Sequence, residues 1–306
     1  MGQIFLLAAI GYFLVKRNII RQEGLNAFSR LVIEVTLPLL IFTKLIEGFS
    51  FSLYPDWWVF PLVSILITIA GLIIGAVFIF AAGGQEQRGQ FLSLIAFQNS
   101  GFLPMALIAA LFSKAEADTM FIYLFLFLMG FNLVVWSLGV QMLSYQKKKK
   151  FELGSLFSPP VLATLFSLGF ILFGLNRIVP SALYKPLKIV GDCTVPLSLL
   201  VVGGNLAQVH LGKIYKKAML FVLLAKMILM PALGLWLVIG LNLPFLAGLL
   251  ILMQLAMPPA TSLSLITRHY KKDDLLISQG IFFSHLFGII SIPLFLSLYF
   301  ALSVIQ

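Results

Sequence analysis

Charge is scarce in this sequence. Only 10% of its 306 residues are Asp, Glu, Lys or Arg, whereas 60% are apolar and the mean hydropathy is +1.05, too little charge to cover the surface of a soluble domain. The bilayer is therefore expected to be its solvent. Cysteine is nearly absent too: Cys193 stands alone in an apolar run, which excludes an intramolecular disulfide and a C-x-x-C metal site. Neither H-E-x-x-H nor paired D-D-x-x-D occurs, which argues against an intramembrane enzyme; no cofactor or metal is expected. Acid is the scarcer charge, 11 residues against 21 basic ones, but no basic face with interleaved aromatics lies outside the membrane-flanking loops, so nucleic acid is not an expected partner. Residues 1 to 15 lack a basic n-region and an A-x-A-like cleavage site, and a similar segment recurs later. They are expected to stay as a first helix.

What is abundant is the apolar run of roughly 20 residues, the length a spanning helix needs. Runs between charged or turn-rich breaks predict ten helices near 3–21, 25–46, 57–82, 89–112, 118–145, 155–175, 184–207, 215–240, 245–267 and 275–303, an all-α polytopic membrane protein. If the Lys147 to Lys150 run is cytoplasmic, that face also receives Lys16, Arg17, Arg21, Arg30, Arg88, Lys213, Lys216, Lys217, Arg268, Lys271 and Lys272, fifteen basic residues in all. The opposite face receives five: Lys44, Lys114, Arg177, Lys185 and Lys188. Both termini are then expected outside, with the basic linker 147–154 meeting anionic membrane lipids. Trp57 and Trp58 read as interfacial anchors.

Sliding the chain against itself by 158 residues aligns Gly11, Leu14, Asn18, Ile20, Leu25, Val32, Thr36, Pro38 and Leu39 with Gly169, Leu172, Asn176, Ile178, Leu183, Val190, Thr194, Pro196 and Leu197, nine identities in 29 positions. Shared Leu and Ile content does not supply the match of Glu34-Val-Thr-Leu-Pro38 to Asp192-Cys-Thr-Val-Pro196. Residues 1–146 and 155–306 are expected to be two five-helix repeats, and an odd number of spans inverts the second relative to the first. Inverted repeats favour transport, since two halves that can exchange conformations give outward-facing and inward-facing states of similar energy.

The fourth run is interrupted by Gln98-Asn99-Ser100-Gly101-Phe102-Leu103-Pro104, and the ninth by Met257-Pro258-Pro259-Ala260-Thr261-Ser262 at nearly the equivalent place. Prolines free carbonyls four residues back, those of Ser100, Gln254 and Leu255, and such groups are tolerated at membrane depth only where protein or a wet cavity satisfies them. Each interruption taken alone reads as an ordinary proline kink. As a symmetric pair, with Gln98, Asn99, Ser100, Gly101, Pro104, Gln254, Pro258, Pro259, Thr261 and Ser262 around it, it predicts a substrate site. A half-helix N-terminus presents unpaired N–H groups and a positive dipole end, suited to a carboxylate.

These residues carry a resemblance. Ile10-Gly11-Tyr12 followed by Lys16-Arg17, then Leu37-Pro38, Asn99-Ser100-Gly101, Lys226 to Pro231, Pro258-Pro259-Ala260 and Ser291-Ile292-Pro293-Leu294 resemble, in this order and across nearly the whole chain, the auxin efflux carrier family, related to plant PIN-FORMED carriers and bacterial malate or malonate permeases. The resemblance implies a scaffold from helices 3–46 and 155–207, a mobile transport domain from helices 57–145 and 215–303, crossing broken helices and a homodimer, in a bacterial inner membrane. The ninth helix departs by having no asparagine at the second crossing. The first span has only about a dozen apolar residues before Lys16, shorter than a full span, as a short or trimmed N-terminus would give.

Glu34, Asp192 and Lys226 fall inside spans, where an ionisable group is costly. They are expected to be buried, either as a charge pair holding helices two, seven and eight together or as a titrating or substrate-sensing group. His285 and Asn132, in helices that the resemblance gives to the transport domain, are further candidates to line the site, although a lone histidine on an apolar helix is more often hydrogen-bonded packing. The expected function is secondary transport of a small organic anion, carboxylate or auxin-like, by elevator-type movement; the alternative is a sodium- or proton-coupled symporter resembling bile-acid carriers.

Overall fold

In the computed structural model, which describes residues 2–144, 157–209, 212, 214–270 and 273–303, the chain is nearly all helical, and no strand occurs among the described residues. The linker 147–154 and Lys213, Lys271 and Lys272 lie outside the described residues. Sixteen α-helical segments follow in order: α1 (Gly2–Lys16), α2 (Gln22–Leu31), α3 (Leu37–Gly48), α4 (Val59–Val77), α5 (Gln85–Ala96), α6 (Phe102–Leu111), α7 (Lys114–Val134), α8 (Val140–Ser144), α9 (Pro159–Leu172), α10 (Ser181–Asp192), α11 (Thr194–Ala207), α12 (Lys216–Leu224), α13 (Met230–Gly240), α14 (Phe245–Ala256), α15 (Ser262–His269) and α16 (Leu275–Ser303).

Several of these run on through a wider turn. Val32–Thr36 joins α2 to α3, and Ala225–Leu229 joins α12 to α13, both as single π-turns. Each is followed two residues later by a proline, Pro38 or Pro231. A proline ring clashes with the carbonyl four residues back, here that of Glu34 or Met227, and a turn closed by bonds five residues apart relieves the clash: Leu37 N–H donates to Val32 O, and Met230 N–H to Ala225 O. A third π-turn, Val135–Gly139, joins α7 to α8 without a proline; nothing in its sequence explains it.

Among the described residues, five helical stretches are long and apolar enough to cross a membrane: Val59–Val77, Lys114–Ser144, Ser181–Ala207, Lys216–Gly240 and Leu275–Ser303. Four shorter apolar helices, α1, α6, α9 and α14, accompany them. The expected fourth and ninth runs are each divided into two helices, α5 with α6 and α14 with α15.

The chain forms two compact units, passing between them after Leu62, Ser100, Leu133 and Gln208 and again between α8 and α9. The first unit holds α1 to α3, α6, most of α7 and α9 to α11. Within it α1 packs along α11, and α3 along α9 and α10. The α1–α11 contact is close enough to need glycine. A Cβ at Gly203 would collide with the backbone of Ala8, and one at Gly11 with the backbone of Leu200. Small residues let helix backbones approach in just this way in membranes. Charges at one end of the unit are paired: Lys44 with Asp118, side chains 12% and 32% exposed, and the Tyr184 hydroxyl donates to Glu47 at 2.7 Å.

The second unit holds most of α4, then α5, α8 and α12 to α16. Its centre is α16, which packs against α5, α12, α13, α14, α15 and the 225–229 turn. At one end the Asp274 carboxylate ties α15 to α16: it accepts from the hydroxyl of Ser264, from the Ser278 hydroxyl at 2.8 Å and from Arg268 Nε at 2.6 Å.

Two outcomes follow. Gly203→Val, which thrusts a branched side chain into the Ala8 backbone, should cost at least about 3 kcal/mol of stability or abolish purification of folded protein, whereas Gly169→Ala, which meets nothing within 4 Å, should be close to neutral; thermal unfolding of the two variants checks the pair. At Asp274, partial burial favours the neutral acid, but hydrogen bonds from Ser264, Ser278 and Arg268 and the guanidinium charge outweigh it, so the carboxyl titrates below its ordinary 3.8. A carboxylate with a depressed folded pKa stabilises above its unfolded value and loses that contribution as pH falls through the folded one. Amide exchange over 262–278 should therefore be slower in the parent than in Asp274→Asn at neutral pH, and the gap should close once pH drops well below 3.8.

Candidate functional site

The two interruptions of the second unit meet. Phe97 ends α5 in an extended conformation and Met257 does the same for α14. The residues beyond them pair antiparallel, with Gln98 opposite Pro259. Asn99 N–H donates to Pro258 O at 2.8 Å, and Ala260 N–H donates to Phe97 O at 2.9 Å. Pro258 and Pro259 have no N–H to offer, so the partner strand can use them only as acceptors. Ser100 N–H turns back onto Gln98 O at 2.8 Å, and the Ser100 carbonyl, which Pro104 was expected to leave free, accepts from Gln254 Nε2 at 3.1 Å. One side chain from α14 thus closes the turn that follows α5.

In this pair several buried polar atoms find no partner among the described residues: both ends of the Gln98 amide, Asn99 Nδ2 and Gln254 Oε1; on α16, His285 Nε2 is likewise unpartnered. Gln98 and Gln254 are wholly buried and Asn99 nearly so. His285 Nδ1 lies 2.8 Å from Ile281 O on its own helix. Since a carbonyl only accepts, the neutral ring carries its proton on Nδ1 and presents Nε2 as an acceptor. Leaving a buried donor or acceptor unmade costs about 1–3 kcal/mol each, so a cluster of such groups is suited to bound water or to a polar ligand.

The predicted site residues divide accordingly. Gln98, Asn99, Ser100, Gln254, Pro258 and Pro259 are brought together by these bonds. Thr261 and Ser262 open α15 at the downstream edge of the pair, and no side-chain cap is made there. Gly101 and Pro104 sit at the start of α6 and belong, with Asn132, to the first unit. Asn132 donates to Leu128 O at 2.9 Å on its own helix.

The three charges expected to be buried together are not. Glu34 is half exposed and pairs with Arg30 at 3.2 Å, and Asp192 is half exposed and pairs with Lys188 at 3.6 Å. Each carboxylate finds a basic residue one helical turn earlier, a local solution that needs no partner from another helix. Lys226 alone is wholly buried, in the 225–229 turn of the second unit, and its Nζ has no hydrogen-bond partner among the described residues. Ser93 on α5 and Ser284 and Ser291 on α16, which drew no attention in the sequence, are also buried with unpartnered hydroxyls. The regular spacing of Gly280, Ser284, Gly288 and Ser291 along one helix face was the signal that could have found the latter two.

Five helical stretches of spanning length among the described residues, accompanied by shorter apolar helices, mark an integral membrane protein. The comparison with known families is direct: the chain belongs to the family described as membrane transport protein, the auxin efflux carrier or PIN-like family, whose model matches residues 1–152 and 145–296. It is similar to Protein PIN-LIKES 1 of Arabidopsis thaliana, 23% identical over 95% of this chain and 76% of that protein. It is also similar to an uncharacterized transporter of Methanocaldococcus jannaschii, 23% identical over 95% of both chains, and to one of Methanothermobacter thermautotrophicus, 25% identical over 95% of this chain and 94% of that one.

One outcome tests the geometry itself. Gln254→Leu deletes the bond to the Ser100 carbonyl and leaves that acceptor buried, so it should lower stability by about 1–3 kcal/mol, and Gln254→Glu, which cannot donate when ionised, should not restore it. Thermal unfolding of both variants reads this.

Proposed function

We propose that the chain is a secondary transporter of a small organic anion, held at the paired segments 97–100 and 257–260. The observation that carries this reading is the backbone pairing of two interrupted helices beside the unpartnered amides of Gln98, Asn99 and Gln254. Membership of a family of membrane transporters supports it. In this reading α5 with α6 and α14 with α15 are crossing broken helices of a ten-span, five-plus-five inverted repeat. The internal pairings support that repeat: an offset of 158 residues carries α1 onto α9 and α3 onto α11, so it exchanges the α1–α11 contact for the α9–α3 contact. Helices 3–46 and 155–207 then act as scaffold, helices 57–145 and 215–303 move as the transport domain in an elevator-type cycle, and the protein works as a homodimer in a bacterial inner membrane with both termini outside.

Asn99 Nδ2 and the half-helix N–H groups supply donors but no full positive charge, a combination that favours one carboxylate on an apolar body and a modest affinity in the micromolar to millimolar range. Asn99→Ala and Pro259→Ala should abolish uptake into proteoliposomes while leaving expression and unfolding temperature near those of the parent. Parental flux in both variants would remove the crossing segments from the site. In the same assay acetate-like and indole-acetate-like anions should be carried in preference to a malate-like dianion.

A further inference from the structure

The least compensated basic group in the described structure is the amine of Lys226. It is fully buried, and the acidic residues described in its unit, Glu86, Asp273 and Asp274, all stand at the N-terminal ends of α5 and α16. Along α16 the distance from Asp274 to Gly288 is roughly 20 Å, too far for an ion pair. A buried cation without a counter-charge is among the costliest features a membrane-embedded core can carry, so what surrounds this one bears on its use.

The turn that bears Lys226 packs against α5, α12, α13, α14 and α16. Its meeting with α16 is at Gly288, where a Cβ would lie 3.4 Å from Met227 Cε. Ser284 lies four residues before Gly288 and Ser291 three after, and at about 100° per residue all three share one face of the helix. The same face continues to Gly280, which meets Leu94 of α5, next to Ser93. The Gly280–Ser291 face of α16 is therefore lined by small residues and carries two buried hydroxyls, those of Ser284 and Ser291, with no partner among the described residues; Ser93 and Lys226, each next in sequence to a residue that meets this face, are likewise buried with a partnerless Oγ and Nζ. Every one of these groups can donate a hydrogen bond. A protonated Lys226 beside O–H donors, with no carboxylate in reach, would be the donor set of an anion site. Water can satisfy the hydrogen bonds but not a charge; a bound monovalent anion would hold the amine protonated, and a divalent one would overcompensate it.

We propose that the seam between the 225–229 turn and the Gly280–Ser291 face of α16 holds a monovalent anion against Lys226, with the hydroxyls of Ser284 and Ser291 donating to it. Chloride and a substrate carboxylate share this chemistry. The proposal can be tested without any measurement of flux.

The test is the unfolding temperature of the purified protein, titrated with sodium chloride, sodium bromide or sodium acetate against sodium sulfate at matched ionic strength. The parent should show a saturable rise with at least one monovalent anion and none with sulfate. Lys226→Met should lose that rise and, in sulfate alone, unfold no earlier than the parent. Ser284→Ala and Ser291→Ala should each raise the half-saturating concentration about tenfold, the loss of one hydrogen bond to a charged group. A response to halides alone identifies a free inorganic anion as the occupant, a response to acetate alone identifies a carboxylate group, and mutual competition shows one seam taking either. The proposal is overturned if no monovalent anion outperforms sulfate, or if Lys226→Met keeps the response. Should that variant fail to fold, unchanged half-saturation in both serine variants overturns it equally. Loss of transport in Asn99→Ala with an intact anion response would leave the two sites independent.

Discussion

The constraint on which the rest depends is that a backbone group inside an apolar environment must find a partner. Two helices of the second unit stop short and turn extended, at Phe97 and Met257, which strands donors and acceptors that helical bonds would otherwise consume. The bonds from Asn99 to Pro258 and from Ala260 to Phe97 satisfy them reciprocally, and Gln254 takes up the Ser100 carbonyl. Each interruption is thus tolerable because the other exists. The side-chain amide atoms left over are the by-product of that solution, carried on segments whose backbones are tied to one another.

Proline acts in this chain as a geometric instrument in two ways. In the pair at 258 and 259 it removes two N–H donors, so the ladder uses the Pro258 carbonyl as acceptor and the Ala260 N–H as donor. At Pro38 and Pro231 it leaves the helix continuous but widens the turn before it, and one of those widened turns carries Lys226. A π-turn changes the angular register of everything downstream, so the residues after it face directions that a regular 3.6-residue count would not assign.

How much of this could be read from the sequence depends on whether the signal was local. The interruptions at Gln98 to Pro104 and Met257 to Ser262 were legible because proline and glycine act on their own backbone, and so was the transporter family, carried by ordered short motifs. The fate of the ionisable residues was not. Hydropathy places Glu34, Asp192 and Lys226 alike inside apolar runs, yet burial depends on which helix face meets protein, and Glu34 and Asp192 lie on exposed faces beside Arg30 and Lys188. Nor could the sequence reveal that the Ser284, Gly288 and Ser291 face of α16 meets the Lys226 turn, because that contact is set by packing between elements some sixty residues apart. Asn132 and His285 were singled out for their chemistry, but each spends a polar atom on its own helix.

The two units differ in how they treat polarity. In the first, several ionised groups find partners, Arg30 with Glu34, Lys44 with Asp118, Lys188 with Asp192 and the Tyr184 hydroxyl with Glu47, while Thr36 and Ser158 keep buried hydroxyls without a partner among the described residues. In the second, Asp274 and Arg268 are paired at one end, while the interior holds Lys226, His285, Gln98, Asn99, Gln254 and three serines with atoms that have no partner among the described residues. Apolar side chains of similar volume in those positions would be neutral or stabilising, so packing alone gives no reason for this interior. A core that must bind and release a polar guest does give one. Groups already satisfied by the protein cannot be satisfied by a ligand, and only unmade hydrogen bonds and an uncompensated charge leave binding energy for the guest to collect. That argument supports the proposed reading, in which a ligand would be held by the second unit.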